Sequence, residues 1–120
     1  MDSETNIHQL KKTVQNFCEE RGWDQYHNAK DLSIGIITES SELLEHFRFK
    51  SEEQIEEMLA DPQRRQMIGN ELADVFFFML RFVQMNDFDL SDELLNKMEI
   101  NGRKYPIDRA KGSNKKYTEL

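Results

Sequence analysis

A chain of 120 residues, 38% apolar and 32% charged, has the size and balance of one domain able to bury a core of its own. Its net charge of −7 argues against DNA or RNA polymers as partners, because their phosphate backbones demand clustered positive charge. No apolar run approaches the ~20 residues that span a bilayer, so no membrane association is expected.

The opening "MDSETNIHQLKK" is acidic at its start and has no apolar core, which reads against a secretory signal. The first helix is predicted over residues 5–21, with Ile7, Leu10, Val14, Phe17 and Cys18 at helical spacing and Gly22 as its stop. Cys18 is the single cysteine. It excludes an internal disulfide, fits a reducing cytosol and hence a cytoplasmic location, and reads as a small packing residue. "WDQYHN" follows as a loop in which Trp23 either stacks a base or seals the core, and His27 reads as a hydrogen-bonding residue.

The second helix is expected to start at the N-cap Asn28, with Asp31 in its first turn, and to reach about Phe47. A short acidic helix, "SEEQIEEMLA", is capped by Ser51 and ends at Asp61-Pro62. The fourth begins near Pro62, tolerated in a first turn, and runs to about Met85. Its stretch "VFFFMLRFV" is apolar almost all round, interrupted only by Arg81, and such a helix is expected to be buried on every side. One small bundle cannot easily surround it, so an oligomer is expected. The fifth helix is predicted from the N-cap Ser91 to about Lys104, and Pro106 stops it. Strand signals are nearly absent. The expected fold is all-α, a bundle of four to five helices in a single domain 1–120, with residues 107–120 a polar, basic C-terminal arm.

Two carboxylate pairs stand out: Glu39/Glu42 in "ESSE" and Glu71/Asp74 in "ELAD". Spacing i, i+3 puts each pair on one helix face, about 60° apart and ~4.5 Å along the axis. On adjacent helices the two pairs would converge four carboxylates on one point. Mg²⁺ wants such oxygen ligands and shares the rest of its shell with water and substrate phosphates. An ExxE is also common on a wetted helix face, and that reading stays open for Glu39/Glu42 taken alone. Glu71/Asp74 directly precedes the apolar run, where an uncompensated charge is expensive. Gly35, Glu39, Glu42 and His46 fall on one stripe, as do Met67, Glu71, Asp74 and Phe78. Gly35 weakens a helix relative to alanine and so points to a close approach by another element or a ligand. Glu45 is either a fifth ligand or a solvent-facing charge, and His46 reads as structural or as a supporting group for the site.

Helix five carries the complementary charge. From residue 97 onward seven basic residues face three acidic ones, a net +4 that leaves −11 on the first 96. Lys97, Asn101 and Lys104 form one stripe suited to phosphate oxygens and a sugar or base edge. The alternative is simple placement of cations at a helix C-terminus.

ExxE, then ExxD some thirty residues later, then "KMEINGRKYP", resembles the MazG-like all-α nucleoside triphosphate pyrophosphohydrolases. "ERGWDQYHNAKDL", "ESSELLEHFRFK", "ELADVFFFML" and the terminal "KKYTEL" extend the likeness along the chain, and the C-terminal pieces resemble the dCTP pyrophosphatase branch. The resemblance implies a helical homodimer or homotetramer (a dimer of dimers) with sites near the subunit interface. It implies Mg²⁺-dependent hydrolysis, with Mn²⁺ a substitute, between the α and β phosphates of a nucleoside triphosphate. Residue by residue, it makes Glu39, Glu42, Glu71 and Asp74 the metal-binding and catalytic carboxylates. Trp23, Phe49 and Phe78 would line the nucleobase pocket, and Lys97, Asn101, Lys104 and Tyr105 would lie near substrate. Phe78 stands where relatives carry tyrosine, Phe49 where tryptophan is frequent, Lys104 where arginine is frequent and Val14 where a base-contacting histidine occurs. These departures keep the pocket aromatic but remove two polar handles. They weigh against a strict dCTP preference, while the resemblance implies dCTP or a modified pyrimidine deoxynucleotide as substrate. A broad-specificity or dUTP-directed hydrolase is the alternative, and a non-catalytic helical interaction module a further one.

Overall fold

The computed structural model describes all 120 residues and is helical throughout, with no strand. Six α-helices follow in order: α1 (Ile7–Glu20), α2 (Ala29–Glu45), α3 (Glu52–Ala60), α4 (Pro62–Met85), α5 (Leu90–Lys104) and the single turn α6 (Ile107–Ala110). Short 3-10 turns lie at Trp23–Tyr26 and Tyr117–Glu119. No helix is long and apolar enough to cross a membrane. The chain divides into two compact units, Met1–Asp87 and Phe88–Leu120.

Side-chain caps set most of the helix starts. Asn6 and Ser51 each close a reciprocal capping box, with Gln9 and Gln54 respectively, which satisfies two orphan amides at once. Asn28 accepts from the Asp31 amide as its sequence position foretold, and Asp61 caps α4 ahead of Pro62. One cap departs from expectation: α5 starts at Leu90, and Asp89, not Ser91, accepts the Asp92 amide. A carboxylate two residues earlier outcompetes the hydroxyl for the same role. The C-terminal segment is also more ordered than a bare arm, since α6 and the Tyr117–Glu119 turn punctuate it.

In the first unit α4 is the central helix, packed against α1, α2 and α3. Its contact with α1 holds the core cluster Val14, Cys18 and Leu80, flanked by Ile7, Leu10 and Phe77. Leu32 of α2, Met58 of α3, and Ile68 and Val83 of α4 are buried as well. The apolar run of α4 is not covered on every side within one chain. Leu80, Arg81 and Val83 are buried, whereas Leu72 and Phe76 remain exposed. Arg81, read as the interruption, is the most enclosed residue of the run at 1% exposure.

The α2–α4 packing is the most extensive in the unit. It is antiparallel, because Gly35 meets Phe78 near one end and His46 meets Glu71 nearer the other. The Phe78 ring lies flat enough on Gly35 that an added Cβ would sit 2.5 Å from its Cδ1. A real side chain there must push the ring or the helix away. Alanine at this position gains about 1 kcal/mol of helix preference, while overpacking costs about 1–3 kcal/mol. Gly35→Ala is therefore expected to lower stability in urea denaturation, and to be neutral or favourable in a Phe78→Leu background. A stabilised single variant would contradict the close contact.

Candidate active site

The register set by Gly35 and Phe78 carries the α2 stripe of Glu39, Glu42 and His46 down onto the α4 stripe of Glu71 and Met67. Three carboxylates come together: one oxygen each from Glu39, Glu42 and Glu71, all within 4.8 Å of one another. Glu39 and Glu71 are half-buried and Glu42 is exposed. Glu39 Oε2 and Glu71 Oε2 are both buried and without a hydrogen-bond partner. Two orphaned buried acceptors in one acidic cluster are costly unless something positive sits among them. The Glu39 carboxyl is accordingly held above the ordinary carboxylate value, first by burial, then by its hydrogen bond with Glu42 and by the charges of Glu42, Asp74 and Glu71.

An all-oxygen cluster of this kind fits a hard divalent cation, which Glu39, Glu42 and Glu71 would hold and whose charge would offset their repulsion. Asp74, expected as the fourth member, is exposed and outside the trio, although its charge is felt at Glu39. His46 Nε2 lies 3.8 Å from Glu71 Oε1, a supporting position that matches its sequence reading. Glu45 turns to solvent and pairs with Arg48 at 3.2 Å.

Two of the three aromatic candidates are connected. Trp23 packs edge-on to Phe17 at 5.6 Å, Phe17 to Phe77 at 5.9 Å and Phe77 to Phe78 at 5.3 Å. Trp23 keeps 37% of its surface open and Phe78 is half-buried on Gly35, one turn from Glu39. Phe49 stands apart. It is 90% exposed, with φ of 63° and the Arg48 guanidinium 4.6 Å from its ring centre. A bulky residue at positive φ is a strained arrangement that persists only where the surroundings impose it.

The remaining candidates belong to the second unit. Lys97 is exposed, Asn101 is half-buried, and Lys104 places its Nζ 4.7 Å from the Tyr117 ring centre. Tyr105 packs edge-on to the same ring at 6.0 Å. The stripe thus keeps a cationic face and gains an aromatic clamp from Tyr117, which spacing along one helix could not show.

A cavity of about 330 Å³ beside the trio was not foreseen; Glu45, His46, Lys50, Met58, Arg64 and Met67 line it. The signal was there in part, since Arg64 and Met67 continue the Glu71 stripe at i−7 and i−4. The role of α3, which supplies Met58, was not readable from that stripe.

Residues 34–120 match the MazG-like family, and the chain belongs to it. It is 32% identical over 117 residues to the human protein dCTP pyrophosphatase 1, covering 98% of this chain and 69% of that one. Identity to the Bos taurus dCTP pyrophosphatase 1 is 30% over 118 residues, covering 98% and 70%. The crystal structure of a pyrophosphatase from Archaeoglobus fulgidus DSM 4304 superposes with a TM-score of 0.77 at 33% identity, over 83% of this chain and 92% of that one. The chain is thus an enzyme of the nucleoside triphosphate pyrophosphohydrolase class, similar to the dCTP pyrophosphatases.

Proposed function

We propose that this protein is a Mg²⁺-dependent pyrophosphohydrolase that converts a pyrimidine deoxynucleoside triphosphate, dCTP or a modified form of it, to the monophosphate and pyrophosphate. The observation that carries the reading is the Glu39–Glu42–Glu71 trio with its two orphaned buried oxygens, in a chain similar to dCTP pyrophosphatases. Glu39, Glu42 and Glu71 would hold the cation, with Asp74 adding charge at the exposed edge. When bound, Mg²⁺ supplies neutralisation of the triphosphate and acidification of water. The chain's own part is to fix the carboxylates and to take a proton. A water oxygen bonds to phosphorus, the bridging P–O bond between the α and β phosphates breaks, and one carboxylate oxygen of the cluster accepts the water proton. His46 would steady Glu71 during this step. Trp23 and Phe78, joined through Phe17 and Phe77, offer apolar faces to a base.

A panel of dNTPs and NTPs with pyrophosphate detection, with and without Mg²⁺, tests this directly. Turnover is expected to be greatest with dCTP, to need the cation, and to fall by ~100-fold or more in Glu71→Gln. Near-normal Glu71→Gln activity, or no cation-dependent turnover, would contradict it. One observation favours a broader substrate range: Phe78 spends its ring on Gly35 and has no polar atom to read a base edge. Comparable rates across several bases would support that second reading.

The same proposal makes the protein a homodimer or homotetramer. Ile34, Ile37 and Leu44 stand exposed on the face of α2 opposite the carboxylates, and Leu72 is exposed on α4. Apolar surface of this kind marks an interface. Sedimentation at micromolar concentration is expected to show a dimer or larger species, and a monomer would remove the proposal.

A further inference from the structure

Arg81 is the one charged residue in the apolar run of α4, and it is 99% enclosed. A buried guanidinium is seldom a gain in stability, since an apolar residue of similar size packs at least as well. Its presence calls for another account. Each arm of the fork has a partner. Nε donates to His27 Nδ1 at 3.0 Å, Nη1 donates to Gln84 Oε1 at 2.7 Å, and Nη2 pairs with the Asp24 carboxylate. Asp24 and His27 are 57 and 54 residues away in sequence; Asp24 follows Trp23 within the turn and His27 closes it.

Besides this network the turn is held by the Trp23–Phe17 ring contact with α1. None of residues Trp23–Tyr26 is buried, and the turn enters through Gly22 at φ of 65°. The Trp23 ring touches the network directly, edge-on to His27 at 6.2 Å. A segment with few apolar contacts opens easily unless polar anchors restrain it.

We propose that Arg81 is the positioning residue of the Trp23 turn: it pins Asp24 and His27, and through them sets the indole against the nucleobase. The second half of this statement rests on the function proposed above; the first does not. Because Arg81 donates to Nδ1, His27 must present a lone pair there and is held neutral. The charged groups facing His27 are Arg81 from α4 and Asp24 from its own turn. From α1 the buried Cys18 thiol faces the same pair of charges, Arg81 and Asp24. Burial first, and then Arg81, keep the His27 pKa below its ordinary value of 6.5, against the opposing pull of Asp24. His27 therefore helps to hold the turn above about pH 6.5, and that help is lost as pH falls through the lowered value. Protonation removes the acceptor and sets a second positive charge beside Arg81.

Trp23 is the only tryptophan, so acrylamide quenching of its emission reads the turn without any nucleotide. Arg81→Met and Asp24→Ala are each expected to make Trp23 more quenchable and to raise KM by ~10-fold or more, with kcat little changed. Wild-type quenching should rise on acidification, while His27→Gln, which keeps an acceptor but cannot titrate, should give a flat quenching profile. Unchanged quenching in a folded Arg81→Met protein, or a loss of kcat at constant KM, would overturn the proposal. Should Arg81→Met fail to fold, Asp24→Ala decides by the same readouts, since the Asp24 side chain is more than half exposed. A wild type that turns over no nucleotide yet shows these quenching changes would defeat the proposed function and leave the anchor standing. Normal turnover with unchanged quenching would defeat the anchor alone.

Discussion

The contact between the Phe78 ring and the bare backbone of Gly35 governs how closely α2 and α4 can approach. Everything at the carboxylate centre follows from that approach and from the antiparallel register it fixes. With the helices in contact there, Glu39 and Glu42 come down beside Glu71, and His46 reaches the same carboxylate. A larger residue at position 35 would separate the pairs or shift them by part of a turn. The helix weakness of glycine is tolerated because the neighbouring ring needs the space. What the packing gains in apolar contact it partly returns in repulsion among the acids, which shows in the raised proton affinity of Glu39.

The central helix α4 thus bears two polar insertions with different partners. Glu71 contributes to an acidic cluster with α2, and Arg81 holds the turn that follows α1. The aromatic series Trp23, Phe17, Phe77 and Phe78 runs between them and ends on Gly35. A shift of the Trp23 turn is therefore felt along rings that pack against the helix pair carrying the acids. The arrangement joins the Trp23 turn to the acid-bearing helix pair by direct packing within a single unit.

Much of this was legible in the sequence because helical periodicity is a strong signal and the caps are local. Asn28, Ser51 and Pro62 each acted as their chemistry dictates, and the two stripes with Gly35 and Phe78 at their ends announced their pairing. The misreadings arose where several groups compete or where distant segments meet. Asp89 and Ser91 both suit an N-cap, and only the chain's path chose Asp89. Arg81 reads as a blemish in an apolar run because its partners lie more than fifty residues away. Asp74 is not one of these: it is exposed like Glu42, and its charge is felt at Glu39 although its oxygens lie outside the trio. The positive φ of Phe49 had no sequence signal, since no glycine or asparagine marks the turn.

The central claim is that the helix register crowds acids which a divalent cation then relieves. Thermal melting of the metal-free protein, with and without added Mg²⁺, tests it across pH in wild type and Glu39→Gln. Because the Glu39 carboxyl is raised in the folded state, stability from its proton is fully present below the ordinary carboxylate value near 4.5 and is lost as pH rises through the raised one. Near neutral pH, metal-free Glu39→Gln should therefore melt above metal-free wild type. Mg²⁺ should raise the wild-type melting temperature, less so as pH falls toward 4.5, and should do little for the variant. A metal-free Glu39→Gln protein that melts below wild type at neutral pH, or equal stabilisation of both by Mg²⁺, would contradict the account.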